Sequence, residues 1–337
     1  MNTSLSTSAQ STLRATAGTG LVDLAHVRAA ARRLGTSVVR TPLLYCEQLS
    51  EQLGCRILVK AENLQHTGSF KVRGALNALR ARGERGELTT GVVTFSAGNH
   101  GAAVAYAARR LGLRATVCMP PGAVTTKVDA VRRYHGNVVF TEDLIGTATE
   151  LVERTGEPLL HPFDDADVIA GQATVGLEII EDTSWVDLVV IPVGGGGLIS
   201  GVGSVFAALS AGTRVAGVEP AGAPTLGHAV RVGSPGPLPH RPVSIADGLT
   251  SPISGVLTYA HVRRHVHHLV EVAEPEIRDA WARLVSATKL LVEPSAAVSL
   301  AAIESGLLPV PVGATVVLVI SGGNTTITAL GAAAAQS

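Results

Sequence analysis

From residue 92 onward the sequence repeats one pattern: a short run rich in β-branched residues, a glycine-containing turn, and an amphipathic stretch of ten to fifteen residues. Continuous apolar runs are typical of strands buried on both faces, and the longer stretches have the apolar spacing of helices. The predicted strands are residues 56–60, 92–95, 115–118, 138–140, 187–193, 214–219 and 315–320. The predicted helices are residues 21–34, 41–54, 72–82, 100–111, 125–134, 144–155, 198–209, 274–291 and 294–305. This alternation predicts an α/β protein with open parallel sheets covered by helices on both faces.

A polar break divides this pattern into two series. It covers residues 157–167, and we interpret it as a crossing between domains. We expect residues 21–90 and 167–330 to form a large domain, with residues 91–166 as a smaller domain inserted into it.

Three stretches are expected to lack regular structure. Residues 1–20 are rich in Ser, Thr and Ala and predict a flexible tail, and the alanine-rich residues 332–335 predict a frayed end. Residues 221–258 are rich in Gly, Pro, Ser and His and predict a long loop. A loop of that length in a compact domain is usually functional or disordered.

The composition excludes several classes of partner. Apolar residues make up 46% and charged residues 16% of the chain, which is typical of a compact enzyme and argues against disorder. The net charge is zero, so nothing draws the whole chain toward nucleic acid or an anionic membrane. Cys46, Cys55 and Cys118 are scattered and predict buried thiols in a reducing compartment, so we expect a cytoplasmic protein.

Lysine is rare in this chain, which has four lysines and twenty-three arginines. Lys71 stands between Phe70 and Val72 at the start of a predicted helix. An amine among apolar neighbours loses hydration, so its pKa falls and it becomes able to act as a nucleophile or a base. The alternative is a surface lysine whose stem lies over apolar neighbours. On this segment alone the second interpretation is favoured, because short motifs occur by chance.

A run of four glycines, Gly194 to Gly197, follows a predicted strand and with Leu198 opens a predicted helix. Glycines at such a turn let backbone N–H groups converge on one point, and the helix N-terminus adds partial positive charge. The run has neither the spacing of a dinucleotide fingerprint nor a P-loop lysine. A tight structural turn is the alternative, but it seldom needs four glycines in succession. We therefore predict a phosphate site.

Two further polar turns follow strands. Residues 96–101 read Ser-Ala-Gly-Asn-His-Gly, and residues 321–324 read Ser-Gly-Gly-Asn. Ligands of open α/β sheets bind at the carboxyl ends of strands, so these turns predict a carboxylate clamp with a hydroxyl nearby. The alternative is that Ser96 or Asn99 caps the following helix. For Glu293, which precedes another helix, a capping role and a site role are equally favoured.

One common cofactor needs both an imine-forming lysine and a phosphate cradle without nucleotide motifs. This cofactor is pyridoxal 5'-phosphate, whose ring stabilises a carbanion at the α-carbon of an amino acid. We therefore predict pyridoxal phosphate as the cofactor and a small amino acid as the substrate.

In the set and order of these motifs the chain resembles the serine/threonine dehydratase family, which is related to serine racemase. The resemblance covers about residues 20 to 328. Its matching blocks are residues 62–65, 69–75, 96–101, 194–198, 219–220, 246–248, 293–295 and 321–324. It implies the tryptophan-synthase-β-like fold, with two open α/β domains that each contain a parallel sheet, the larger one binding the cofactor. It also implies a homodimer.

The resemblance implies a role for each matching residue. Lys71 would form the Schiff base and remove the α-proton, and Phe70 would pack near the cofactor. Asn99 would bind the hydroxyl of the cofactor ring, and Ser321 would face the pyridine nitrogen. The cofactor phosphate would be held by Gly194, Gly195, Gly196, Gly197 and Leu198. Ser96, Asn99 and His100 would bind the substrate carboxylate, with Ser251 as a further candidate.

Two residues bear on the type of reaction. A hydroxyl such as that of Ser321 does not keep the pyridine nitrogen protonated, so the ring is a weaker electron sink and elimination is favoured over transamination. Racemases of this group carry a second hydroxyl where this chain has Ala97, and an alanine cannot transfer a proton.

A divalent cation is the least supported feature. Many members of the group bind one through a glutamate, a backbone carbonyl and a nearby acid, and Glu219 and Ala223 match the first two positions. Thr225 stands where the acid is expected. Because hard cations prefer charged oxygen ligands, a metal at Glu219 and Ala223 is doubtful.

We therefore expect a dehydratase that converts threonine, serine or a related β-hydroxy amino acid to a 2-oxo acid and ammonia. Three alternatives stay open: a dehydratase for a specialised β-substituted amino acid, a racemase, and an inactive cofactor-binding protein.

Overall fold

Two sheets organise the protein, whose computed structural model describes residues 20–334. The strands are β1 (Leu43–Tyr45), β2 (Arg56–Ala61), β3 (Gly91–Phe95), β4 (Arg114–Met119), β5 (Asn137–Phe140), β6 (Leu188–Pro192), β7 (Arg214–Pro220), β8 (His268–Val272) and β9 (Thr315–Ile320). The larger sheet has the order β1-β2-β9-β6-β7-β8, and the smaller has the order β3-β4-β5. Neighbouring strands are parallel except for β1, which runs antiparallel to β2. The predicted α/β class with parallel sheets is confirmed.

Helices cover both sheets. They are α1 (Leu24–Leu34), α2 (Glu47–Leu53), α3 (Lys71–Glu84), α4 (Asn99–Arg110), α5 (Thr125–Arg133), α6 (Leu144–Thr155), α7 (Ala166–Asp182), α8 (Gly197–Leu209), α9 (Thr225–Val232), α10 (Val256–His265), α11 (Glu274–Thr288), α12 (Pro294–Glu304) and α13 (Ile327–Ala334). Across residues 20–334, no helix has both the length and the apolar character needed to cross a membrane.

Strand β9 shows why the strand sequences are continuously apolar. The side chains of Val316 and Leu318 pack with α11 and α12 on one face of the larger sheet, and those of Val317 and Val319 pack with α8 on the other. A strand buried on both faces has no solvent side, so period-two alternation is absent.

Helix α3 is held against α7 by two small residues. A Cβ atom on Gly171 of α7 would lie 2.5 Å from the carbonyl oxygen of Arg73, and one on Gly74 would lie 2.8 Å from that of Val168. The helices therefore approach to backbone contact, which fixes the first turn of α3, where Lys71 lies.

Several elements differ from the sequence prediction. The predicted helix at 41–54 begins only at Glu47, because Leu43–Tyr45 instead extends the sheet edge beside β2. The sequence analysis missed α7 and β8, and the frayed end predicted at 332–335 continues as helix to Ala334. Apart from Gly20, the tail predicted at 1–20 lies outside the described residues.

The predicted loop at 221–258 was wrong near its start and at its end. It contains helix α9 and the start of α10. The carboxylate of Glu219, at the end of β7, accepts hydrogen bonds from the backbone N–H groups of Leu226 and Gly227, at 2.8 and 2.7 Å. The helix thus takes its N-terminal acceptor from six residues upstream of its start, a contact that local patterns do not reveal.

Candidate active site

One cleft collects most of the predicted site residues, at the carboxyl ends of β3, β6 and β9. The predicted residues that line it are Phe70, Lys71, Ser96, Asn99, His100, Gly194, Gly195, Gly196, Gly197, Leu198, Ser251 and Ser321. Glu219 and Ala223 are not among its lining residues. The cleft therefore joins three turns that are far apart in sequence, as open α/β sheets do at this edge.

Lys71 enters the cleft from the first turn of α3. The backbone N–H of Phe70 donates to the carbonyl of Ser321 at 3.2 Å, which fixes the start of the helix beside the end of β9. The Lys71 ammonium donates to the carbonyl of Pro162 at 3.0 Å and lies 5.2 Å from the centre of the Phe70 ring. Burial lowers the pKa of Lys71 to about 8, although the charge of Glu293 opposes the shift. A substantial fraction of the amine is therefore neutral near physiological pH.

The glycine run forms a tight turn in which a side chain at Gly194, Gly195 or Gly196 would clash with a neighbouring residue. Gly196 has φ +88°, in the left-handed region. A Cβ atom on Gly195 would lie 2.1 Å from the Phe163 ring, and one on Gly194 would lie 2.9 Å from the Cα of Leu249. The run leads directly into the first turn of α8, whose N–H groups have no acceptor within the helix. Chemically, the turn is suited to an anion.

Asn99 is fixed from both sides by hydrogen bonds. Its amide nitrogen donates to Glu293 Oε1, and its amide oxygen accepts from the side chain of Asn324, both at 2.8 Å. Ser96 Oγ accepts the N–H of Gly98 at 3.0 Å. Helix α4 follows Gly98 without a side-chain cap, so the capping alternative for Ser96 and Asn99 is not what the structure contains.

Two histidines near Lys71 are buried and neutral. Burial lowers the pKa of His100 well below its usual value, and the neighbouring charge of Lys71 adds to the shift. His161 has its pKa lowered to about 3 by the same two causes. His100 Nε2 lies 3.4 Å from the carbonyl of Leu160, and its Nδ1 has no partner among residues 20–334. Neither ring supplies positive charge to the cleft.

Glu293 is a site residue that the sequence left undecided. It stands at the start of α12 but forms no side-chain capping bond, and its Oε2 has no hydrogen-bond partner within the described part of the chain. Burial raises the pKa of Glu293 to about 7, against the charge of Lys127. Its place in the ordered motif set was the only sequence signal that favoured the site over the cap.

Other cleft residues were missed altogether. The main ones are Phe95, Lys127, Pro162, Phe163, Asp247 and Ser295, of which the first four come from segments with no local signature. Asp247 and Ser295 lie inside the blocks 246–248 and 293–295 of the family resemblance and were the two that the sequence could have supplied.

The surroundings of Glu219 explain its burial without a metal. Burial raises the pKa of Glu219 to about 8, although the hydrogen bonds from Leu226 and Gly227 oppose the shift. Thr225 donates its hydroxyl to the carbonyl of Ser251 at 2.5 Å. No group of three or more His, Cys, Asp or Glu side chains within residues 20–334 is arranged to hold a metal ion. The sequence analysis predicted no firm cation site at Glu219 and Ala223, and that interpretation stays a prediction.

A buried network of charges supports α3 below the cleft. Arg73, fully buried, donates to both oxygens of Glu62 at 2.8 Å and to the two oxygens of Glu178 at 2.6 and 2.9 Å. Lys60 donates to Glu178 Oε2 at 2.6 Å and to the carbonyl of Thr41 at 2.7 Å. Two positive and two negative side chains therefore balance each other where water is excluded.

The sequence matches a protein family and several characterised relatives. Residues 35–322 match the family described as Pyridoxal-phosphate dependent enzyme. The chain is 40% identical to an L-threonine ammonia-lyase of Thermotoga maritima, over 90% of this chain and 76% of the relative. It is 37% identical to a serine racemase of Arabidopsis thaliana, over 84% of this chain and 86% of the relative. The structure resembles that of maize serine racemase, with a TM-score of 0.87, 32% identity and coverage of 94% of this chain and 98% of the other.

Proposed function

Because the chain belongs to the family of pyridoxal-phosphate-dependent enzymes, we propose that it is a dehydratase of the threonine ammonia-lyase type. It is a lyase whose cofactor is pyridoxal phosphate. L-threonine or L-serine loses its β-hydroxyl and α-proton as water, and the released enamine is hydrolysed to a 2-oxo acid and ammonia. The observation that carries the proposal is the Lys71 amine, with its pKa lowered to about 8, in the same cleft as the glycine turn.

The residues of the cleft fit the cofactor. A Cβ atom on Gly194, Gly195 or Gly196 would lie less than 3.0 Å from a neighbouring atom, and the absence of side chains leaves the backbone N–H groups of the turn and of Leu198 for the phosphate. Ser321 offers a hydroxyl to the ring nitrogen, Asn99 an amide to the ring hydroxyl, and Phe70 an apolar neighbour. Bound pyridoxal phosphate supplies an aldehyde for an amine and a ring that withdraws electrons from the substrate α-carbon.

We propose that the Lys71 amine would hold the cofactor and would also accept the α-proton of the substrate. Its lowered pKa suits both tasks, because a neutral amine is needed for each. Ser96, Asn99, His100 and Ser251 bind the substrate carboxylate through neutral donors. The hydrogen bonds that hold Asn99 between Glu293 and Asn324 support this role, because they keep one orientation of its amide.

Other features of the enzyme are proposed on the same basis. We propose a large domain of residues 21–90 and 167–330, a small domain of residues 91–166, and a homodimer. We also propose a cytoplasmic location, which is supported by the three cysteines because all of them are buried free thiols.

The function is tested by supplying the protein with pyridoxal phosphate and titrating it with L-threonine and L-serine. We expect a visible absorbance band that changes with the true substrate, and equal amounts of 2-oxo acid and ammonia. A panel of β-hydroxy and β-amino amino acids distinguishes a specialised dehydratase. Bound cofactor without release of a 2-oxo acid from any compound in the panel would contradict the proposal and favour a cofactor-binding protein.

Racemisation is the second candidate, favoured by the similarity to serine racemases. Ala97 lines the cleft and has no group that transfers a proton. We therefore expect the enzyme to form pyruvate from L-serine and almost no D-serine, whereas Ala97→Ser gains detectable D-serine. Chiral separation of serine, alongside measured pyruvate, tests this. Comparable yields of D-serine and pyruvate from the unaltered enzyme would favour the racemase.

A further inference from the structure

Lys127 lies in the cleft, but the proposed reaction gives it no role. It belongs to α5, which packs against β5 of the smaller sheet, and its ammonium donates to the carboxylate of Asp247. Asp247 begins a short 3₁₀ turn between β7 and β8 of the larger sheet. The ion pair therefore joins elements of the two sheets across the cleft.

The surroundings of Lys127 distinguish this pair from an ordinary surface pair. The side chain of Lys127 is 10% exposed and that of Asp247 is 46% exposed. The stem of Lys127 lies on Gly98, where a Cβ atom would come within 2.8 Å of its Cδ. A packed stem restricts the side chain before the pair forms, so less conformational entropy is lost than in an exposed pair.

Each residue of the ion pair contacts a turn that is proposed to bind the substrate or the cofactor. Gly98 immediately precedes Asn99. On the other side, the N–H of Gly248 donates to Ser295 Oγ at 3.1 Å, and the Leu249 backbone packs against Gly194 of the glycine turn. The pair thus fixes the Asn99 turn relative to the glycine turn.

The pair also forms part of a wall between two cavities. Lys127, Asp247 and Glu293 line the cleft, and they line a second cavity together with Arg278 and Trp281. If the pair opened, the cleft would join this second cavity and admit water beside the carboxylate of Glu293.

We propose that Lys127 is a positioning residue that keeps the cleft closed and its two turns in register through the ion pair with Asp247. The inference rests on the proposed function. It places Lys127 outside the chemistry, because its effect is transmitted through Gly98 and Asp247. A lysine suits the position because its compact ammonium fits at the end of a packed stem, whereas a guanidinium is larger and planar.

The first test measures kinetics on L-threonine or L-serine. We expect Lys127→Met and Asp247→Asn each to lower kcat/KM about 100-fold, with the absorbance of bound cofactor retained, because a displacement of about 1 Å in a positioning element has an effect of that size. The exchanged variant Lys127→Asp/Asp247→Lys should recover part of the loss. Arg133→Met, which removes an exposed cation from the same helix, should behave as the unaltered enzyme.

The second test needs no turnover. Hydrogen exchange of the backbone amides in residues 97–101 and 246–250 should be faster in Lys127→Met than in Arg133→Met. Unchanged exchange in Lys127→Met and Asp247→Asn would overturn the inference, even if kcat/KM fell, because Lys127 would then act directly on the substrate. Absence of any 2-oxo acid from the unaltered enzyme would contradict the proposed function alone, and exchange would still decide on the ion pair.

Discussion

Replacing Lys71 with alanine is expected to lower kcat by about 100- to 10,000-fold, the usual contribution of a general acid–base group. We expect the loss to lie at the upper end of this range, because the same amine is proposed to hold the cofactor. Loss of the visible absorbance band should accompany the loss of turnover. Lys289→Asn is a matched control, because Lys289 is exposed and has φ +60°, a conformation that asparagine tolerates. A Lys71→Ala enzyme that kept its kcat would contradict the assignment.

The lowered pKa of Lys71 adds a pH dependence to this prediction. Since the neutral amine captures aldehydes, the rate at which the cofactor-free protein binds pyridoxal phosphate should rise with pH and level off above a midpoint of about 8. Rates from pH 7 to 10 isolate the amine, because a phosphate monoester loses its last proton near pH 6. A midpoint near 10.5, the ordinary value for lysine, would mean that the amine is fully hydrated.

Replacing Arg73 with methionine is expected to lower the free energy of unfolding by about 3–5 kcal/mol, the usual effect of breaking a buried ion pair from one side. Burial alone would lower the pKa of Arg73, but the charges of Glu62 and Glu178 outweigh it and raise the pKa. Methionine fills much of the volume of the arginine side chain but carries no charge. The carboxylates of Glu62 and Glu178 are then left with Lys60 as their buried cation. Urea unfolding with and without cofactor measures the loss.

Two further variants separate charge from packing. Arg283→Met breaks an exposed bidentate pair with Glu304 and should change the free energy of unfolding by at most about 1 kcal/mol. Adding Glu62→Gln to Arg73→Met should restore part of the stability, because Glu62 loses its cation with Arg73, whereas Glu178 keeps its ion pair with Lys60. If Arg73→Met and Arg283→Met unfold at the same urea concentration, the buried network is not a source of stability.

The sequence predicted those elements whose structure is determined by residues that are close to one another in the chain. The strands at residues 92–95 and 315–320 are apolar runs between turns, and the glycine run marks its own turn. Helix α9 was missed because its N-terminal acceptor is the side chain of Glu219. Strand β8 was missed because it is an edge strand of mixed polarity.

The same distinction applies to the cleft. Lys71, Asn99 and Ser321 lie in short motifs that are weak signals singly, and the family resemblance carried by the ordered set of motifs made them candidates. Lys127 lies in an ordinary amphipathic helix, and its place in the cleft follows from packing on Gly98 and from the ion pair with Asp247, 120 residues later. Glu293 was ambiguous for a related reason: a carboxylate before a helix has the same local pattern whether it caps the helix or faces a ligand.

The position of β9 has a consequence for synthesis of the protein. This strand is the last one within residues 20–334, yet it lies in the middle of the larger sheet, where Arg56 pairs with Thr315 and Leu188 with Val316. On a ribosome, β2 and β6 emerge long before the strand that joins them, so both keep an unpaired apolar edge during most of translation. The smaller sheet, whose strands lie between Gly91 and Phe140, needs no such partner. We therefore expect the smaller sheet to form first, and the open edges of β2 and β6 to be the places where the nascent chain is most exposed to pairing with other chains until β9 is made.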